Sequence, residues 1–242
     1  MPHYYKTEAI VLRSIRLREA DRVVHLYTNA RGPVGAVAKG VRRTKSRFGG
    51  RLEPFFRLRL VLYEGRGELH TVTQAETVES YPRLRDNGAS IRTAAGACES
   101  VLRLFGESEA NDAAYNLLCN ELQLLDAEPA ASGPANLLAF RLKLLLAAGF
   151  LPELASCARC GSESLPVDGV EFSASAGGVV CPDCASGDGF ALGAAAHSFM
   201  TSALAAPLRE APSLEGPAIA QVDRAVGGTV EYHAHVRLRS AA

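Results

Sequence analysis

Two Cys-x-x-Cys pairs constrain the fold of this chain more than any other feature of its sequence. Cys157 and Cys160 form the first pair, Cys181 and Cys184 form the second, and 20 residues separate the two pairs. Each two-residue gap lets both thiolates of a pair reach one metal ion, and this spacing is typical of zinc sites. Four thiolate ligands leave no open position, so we predict one structural zinc ion in a module spanning residues 156–189.

Two other interpretations of these cysteines are open. A redox-active pair is expected at the start of a helix in a βαβ context, which neither pair has, and unligated thiols would simply fill a core. The remaining cysteines, Cys98 and Cys119, lie in segments with helical periodicity, so we expect them to be ordinary core residues.

The N-terminal third of the chain shows the pattern of a small β-barrel. Five segments rich in Val, Leu and Tyr are separated by turn-forming residues. These segments cover residues 9–12, 23–27, 34–41, 56–63 and 68–78. In the fourth segment Phe56 and three leucines alternate with Arg57 and Arg59, so both arginines should face outward. We therefore predict a five-stranded OB-fold at residues 1–81.

After Tyr81 the pattern changes to Ala- and Leu-rich stretches with helical periodicity. We predict helices at residues 89–105, 110–125, 135–148, 194–205 and 216–232. Gly149 marks the end of the third helix. The predicted fold class is therefore α+β, in which the N-terminal five-stranded OB-fold barrel is followed by an α-helical domain at residues 82–242 with the four-cysteine zinc ribbon inserted.

Composition excludes several classes of protein. Hydrophobic residues make up 48% of the chain and charged residues 21%, which excludes a disordered or collagen-like chain. The N-terminus lacks the apolar stretch of a secretory signal. The longest apolar region, residues 137–150, carries Arg141 and Lys143 and is shorter than the roughly 20 residues of a membrane span. We expect a cytoplasmic protein that does not bind a membrane.

Positive and negative charges are distributed unequally along the chain. Lys+Arg and Asp+Glu both total 26. Residues 1–85 hold 17 Lys or Arg against 8 acids, whereas residues 86–242 hold 9 against 18. A basic domain joined to an acidic one indicates a polyanion as the partner of the basic domain.

The densest positive charge lies at residues 39–51, which carry six cations and no acid. Cations in a loop at the mouth of a barrel can follow a nucleic-acid backbone and release its counterions. We predict a DNA-binding surface formed by Lys39, Arg42, Arg43, Lys45, Arg47, Arg51, Arg57 and Arg59. Nothing in this pattern reads base edges, so we expect little sequence specificity. The alternative interpretations are a solvated charge run and a targeting signal.

Seven aromatic side chains of the predicted barrel domain are candidates for stacking on bases. They are Tyr4, Tyr5, Tyr27, Phe48, Phe55, Phe56 and Tyr63. We expect most of them, including Phe56, to be core residues. Phe48 lies inside the basic segment, so we expect it to be the best stacking candidate.

No sequence pattern indicates catalysis. The Gly-x-x-x-x-Gly-Lys-Ser/Thr phosphate loop is missing, so we expect no bound nucleotide. A metal-dependent nuclease would need clustered carboxylates beside the basic segment, where Glu19, Asp21 and Glu53 are the only candidates. A further alternative is a zinc-ribbon adaptor whose basic loop binds an acidic protein.

Several segments together resemble a known bacterial family. TEAIVLRSIRLREADR covers residues 7–22, KGVRRTKSR covers 39–47 and LEPF covers 52–55. FRLKLLLAAGFLP at residues 140–152 leads into the first cysteine pair. These segments are similar to those of the DNA repair and recombination mediator RecO, and the similarity follows the same order along most of the chain.

The resemblance implies an N-terminal OB-fold, a helical domain and a zinc module that not all members keep. It also implies a protein without catalytic activity that binds single- and double-stranded DNA, anneals complementary strands, and works with RecR to place RecA on DNA coated by single-strand-binding protein. The family's DNA-contacting positions correspond to Lys39, Arg42, Arg43, Lys45 and Arg47. We therefore expect DNA, RecR and single-strand-binding protein as partners, and association with the nucleoid.

Overall fold

A computed structural model of the chain describes residues 3–43, 46, 48, 50–106 and 110–241. The chain divides into two compact units, Met1–Pro129 and Ala130–Ala242. In the described residues, the first unit holds a β-barrel and three helices, and the second holds three helices and a small sheet.

Five strands form a closed barrel in the described part of the first unit. They are β1 (His3–Leu17), β2 (Asp21–Thr28), β3 (Gly32–Ala38), β4 (Arg57–Glu64) and β5 (His70–Glu79). Their order around the barrel is β1-β2-β3-β5-β4, and β3 and β5 run parallel to each other. This arrangement confirms the predicted five-stranded, OB-like N-terminal fold.

The first strand is longer than its sequence pattern predicted, and it closes the barrel. Residues 3–10 pair with β4, and residues 9–17 pair with β2. The register with β2 shifts between Val11 and Arg13. An irregularity of this kind bends a strand, which lets β1 pass from one neighbour to the other.

The side chains of β4 alternate as predicted. Leu58, Leu60 and Leu62 are fully buried inside the barrel. Arg57 and Arg59 lie on the opposite face of the strand, Arg57 half-buried and Arg59 exposed. The same strand therefore supplies both the barrel core and two outward cations.

Three helices follow the barrel in the part of the first unit that the structure describes. They are α1 (Pro82–Asp86), α2 (Gly88–Leu104) and α3 (Asp112–Ala127). The side chains of Asn87 and Asn111 accept hydrogen bonds from backbone N–H groups in the first turns of α2 and α3, and so cap these helices. The rings of Tyr27 on β2 and Phe105 after α2 lie 5.8 Å apart, so the helices pack on the outside of the barrel.

The described residues of the second unit form helices around a small sheet. The helices are α4 (Pro134–Ala148), α5 (Ala194–Ala205) and α6 (Pro217–Ala234), and the strands are β6 (Gly169–Ser173), β7 (Gly178–Val180) and β8 (Phe190–Gly193). Helix α4 ends as predicted, and Gly149 follows its last residue with a φ of 77° that favours glycine. The sheet, in the order β7-β6-β8, lies between α4 and α5 in the sequence. Within the described ranges, no helix is long and apolar enough to cross a membrane.

Candidate nucleic-acid interface and metal centre

The loop between β3 and β4 packs against the tip of the β1–β2 hairpin at one end of the barrel. The backbone N–H of Arg42 donates to the Ala20 carbonyl over 3.0 Å, and its guanidinium donates to the Glu19 carbonyl over 2.8 Å. The Gly40 N–H donates to the Asp21 carboxylate over 2.7 Å. These hydrogen bonds join the hairpin tip and the loop into one surface.

Exposed cations of the β1–β2 hairpin and of the β3–β4 loop define this surface, which we call the basic edge. It comprises Arg16, Arg18, Lys39, Arg42, Arg43 and Arg51. Within the described part of the chain, Lys39, Arg42 and Arg43 make no ion pair. The sequence pattern did not single out Arg16 and Arg18, because strand pairing is what brings their hairpin to the loop. Two predicted members of the DNA-binding set, Lys45 and Arg47, lie outside the described residues.

Two acidic side chains beside the basic edge hold the loop in place. Glu53 pairs with Arg22 over 3.0 Å, and Asp21 accepts the Gly40 N–H. The four cysteines form the one group of three or more side chains, among those that the structure describes, with spacing suited to a metal ion. The described residues therefore lack the carboxylate cluster that a metal-dependent nuclease needs.

Phe48 is not the stacking candidate that its place in the basic segment indicated. Its side chain is 1% exposed and lies in the barrel core with Leu52 and the β4 leucines. The loop turns inward here because burying a ring of this size contributes roughly 1.5–3 kcal/mol, which outweighs the polarity of its sequence neighbours. Phe48 therefore anchors the basic segment to the barrel.

Arg57 and Arg59 share one carboxylate on the outer face of the barrel. Arg57 Nη2 lies 2.8 Å from Glu8 Oε2, and Arg59 Nη2 lies 3.2 Å from Glu8 Oε1. Arg59 also lies 3.4 Å from Glu76. Partial burial would raise the pKa of Glu8, but the hydrogen bonds and charges of the two arginines hold that pKa below its ordinary value. Of the two arginines, Arg59 is the more accessible to a ligand, and a role of either in DNA binding stays a prediction.

The four cysteines of the second unit lie close together, as their spacing predicted. The Sγ atoms of Cys157, Cys160, Cys181 and Cys184 all lie within 4.8 Å of one another, and those of Cys160 and Cys181 lie 3.8 Å apart. Four sulfurs about 2.3 Å from a central zinc ion would form a tetrahedron with edges of about 3.8 Å. The cluster therefore fits a four-thiolate metal site.

Backbone groups favour the thiolate form of one of these cysteines. The Cys181 N–H donates to Cys157 Sγ over 3.3 Å. This hydrogen bond, together with the one from the Cys160 N–H, lowers the pKa of Cys157 to about 6. The thiolate is the form that binds a metal, so this ligand is available at neutral pH.

A carboxylate that the sequence did not single out lies next to the cluster. Asp188 accepts hydrogen bonds from Ser175, from Ser186 over 2.7 Å and from the buried Ser173 over 3.1 Å, and it pairs with Arg159. These hydrogen bonds, with that of Ser175 the largest influence, hold the pKa of Asp188 well below its ordinary value. The ionised carboxylate thereby joins the segments on both sides of the cysteine cluster.

Comparison with known proteins decides the family. The family model described as Recombination protein O N terminal matches residues 1–81, and the one described as Recombination protein O C terminal matches residues 89–242. The chain belongs to the RecO family. The resemblance carried by its N-terminal segments and its middle helix is thus confirmed.

Curated RecO proteins align with most of this chain. The DNA repair protein RecO of Symbiobacterium thermophilum is 38% identical over 241 residues, which are 98% of this chain and 94% of that protein. The DNA repair protein RecO of Rubrobacter xylanophilus is 39% identical over 215 residues, 88% of this chain and 85% of that protein. That of a Nocardioides species is 44% identical over 186 residues, 74% of each. The similarity to RecO proteins thus extends through both units.

Proposed function

We propose that this RecO-family protein is a mediator of DNA repair and recombination that binds DNA without catalysing a reaction. The names of its relatives support a role in DNA repair. The observation that carries the DNA-binding proposal is the basic edge, where Lys39, Arg42 and Arg43 are exposed and, within the described ranges, free of ion pairs. Exposed cations that form no ion pair can bind phosphates and release the counterions condensed on DNA.

Binding through phosphates has two consequences. Contacts to the phosphates of DNA carry no sequence information. The basic edge would therefore bind single- and double-stranded DNA of any sequence. Two complementary strands neutralised on the same surface repel each other less, so the protein would anneal them without a nucleotide. Lys45 and Arg47 belong to this proposed surface by their position in the sequence, and Arg57 and Arg59 extend it along β4.

The proposed partners follow from family membership. We infer that RecR binds this protein, and that the two help to load RecA onto DNA coated by single-strand-binding protein. Such a role places the protein in the cytoplasm, at the nucleoid.

The four cysteines are proposed to hold one structural zinc ion. The sulfur spacing supports zinc, and four sulfur ligands leave no position for a catalytic water. A bound ion would join the two cysteine pairs and stabilise a module whose sheet has three short strands in the described residues.

Strand annealing tests the proposed function. The purified full-length protein is mixed with two complementary oligonucleotides, one labelled with a fluorophore and the other with a quencher, in the absence of ATP. We expect the protein to accelerate annealing at low salt and to lose this effect as the salt concentration rises. An absolute requirement for ATP would contradict the proposal. Binding to an acidic protein without any affinity for oligonucleotides would favour the adaptor interpretation.

A further inference from the structure

The structure separates the seven candidate stacking residues into buried and accessible side chains. Tyr27, Phe48 and Phe55 are buried. Two others lie beneath guanidinium groups, since Arg31 is 3.9 Å from the ring centre of Tyr5 and Arg85 is 4.6 Å from that of Phe56. Tyr4 and Tyr63 are the two candidates that remain, and both are described by the structure.

Tyr4 and Tyr63 form a pair on the outer face of the barrel. They are direct cross-strand partners on β1 and β4, and their ring centres lie 5.0 Å apart at an angle of 48°. Tyr4 is 66% exposed. Contact with Tyr63 orients the Tyr4 ring while leaving much of its surface open to solvent.

The surroundings of this pair suit a polyanion. Lys6 lies two residues after Tyr4 on the same face of β1, and its side chain is exposed. The next acids along this face are Glu8, which pairs with Arg57 and Arg59, and Glu76, which pairs with Arg59. Two arginines therefore balance these two acids. The pair therefore combines an open aromatic ring with a neighbouring cation.

From this arrangement we infer that Tyr4 and Tyr63 form an aromatic shelf on which one unpaired base of a DNA strand stacks, while Lys6 contacts an adjacent phosphate. The inference rests on the proposed function, because it assigns a second contact to the same ligand. A ring of this kind stacks on any base but needs a free base face, which a duplex does not offer. The shelf therefore gives the protein a preference for single strands that the basic edge alone lacks.

The test uses the full-length protein with Tyr4 changed to Ala or to Phe. The Phe variant keeps a stacking ring. The matched control is Tyr232→Ala, which removes a tyrosine of α6 that is 52% exposed. Affinity is measured for a single-stranded oligonucleotide carrying 2-aminopurine and for the corresponding duplex. The chain has no tryptophan, so the fluorescence of the base analogue is read without background from that residue.

We expect Tyr4→Ala to weaken single-strand binding about tenfold and to abolish the quenching of 2-aminopurine, while duplex affinity stays unchanged. Tyr4→Phe and Tyr232→Ala should behave like the parent protein. Unchanged single-strand binding by Tyr4→Ala, equal losses on both ligands, or a loss in Tyr4→Phe would each overturn the shelf while the basic edge stands. A parent protein that binds neither ligand would overturn the proposed function itself.

Discussion

Arg159 Nη2 lies 3.0 Å from Asp188 Oδ1, and this ion pair connects the two halves of the cysteine module. Arg159 stands inside the first Cys-x-x-Cys pair, and Asp188 follows the second pair by four residues. The other oxygen of Asp188 is 3.1 Å from the hydroxyl of Ser173, at the end of β6. One carboxylate thus connects both cysteine-bearing segments to β6, which lies between them in the sequence.

Asp188→Asn should weaken metal binding without removing a ligand. The neutral amide loses the charge that attracts Arg159, so the two cysteine pairs are less well oriented. Loss of a group that hydrogen-bonds a metal ligand directly costs about 10- to 100-fold in affinity, and Asp188 lies one residue further from the ligands, so we expect a loss of up to about tenfold. The measurement is competition for zinc with a chromophoric chelator. Asp183→Asn, which changes an exposed acid inside the second pair, is the control, and equal affinities of the two variants would contradict this role.

The proposed zinc ion predicts both a metal content and a stability effect. The purified protein should contain about one zinc ion per chain, measured by elemental analysis. Cys181→Ser should lower the zinc content and the melting temperature. It should change the DNA affinity little, because the proposed ion is structural. Cys119→Ser changes a half-buried cysteine outside the cluster and should keep its zinc. A native protein without zinc, in which all four thiols of the cluster titrate freely, would contradict the assignment.

Glu8 should stabilise the barrel in a pH-dependent way. Its pKa in the folded protein is held below the unfolded value of about 4.3, so its contribution is present above about that pH and is lost as pH falls through the folded-state pKa. Glu8→Gln should therefore lower the free energy of unfolding by about 0.5–1 kcal/mol near neutral pH and by less in acid. Denaturant titrations at several pH values measure the difference. Glu68→Gln, at an exposed site, should show no such difference, and a Glu8→Gln effect that grows in acid would contradict the argument.

Local sequence patterns predicted most of the helices and strands and the cysteine cluster. The alternation of Leu58, Leu60 and Leu62 with arginines defined β4, and Gly149 marked the end of α4, because both signals depend on near neighbours in the chain. Each cysteine pair is a local turn, and the 20-residue spacing between the pairs, typical of zinc sites, predicted that they meet. The five-residue helix α1 and the four-residue strand β8 were not predicted, because such short segments show too little periodicity.

Contacts between distant segments could not be predicted. Phe48 has basic and glycine neighbours that suggest exposure, yet the β3–β4 loop folds over the barrel and buries it. Arg16 and Arg18 join the basic edge because the β1–β2 hairpin meets that loop. Asp188 stands between two glycines, as a turn residue would, and its partners Ser173, Ser175 and Arg159 lie elsewhere in the module.

The salt dependence of DNA binding measures directly whether the basic edge binds DNA through phosphates. Affinity for a single-stranded oligonucleotide is measured at several salt concentrations for the parent protein and for a variant with Lys39, Arg42 and Arg43 changed to Ala. The slope of log affinity against log salt is roughly −0.7 per phosphate neutralised. A control variant removes the exposed cations Arg209 and Arg237 of the second unit, each paired with an acid.

We expect the triple variant to bind more weakly to every sequence tested and its salt slope to flatten by about 2 units. Zinc content should not change, because these side chains lie in the other unit, and the control should keep the parent slope. A triple variant with the affinity and slope of the parent protein would show that the basic edge does not bind DNA and is a solvated run of charge.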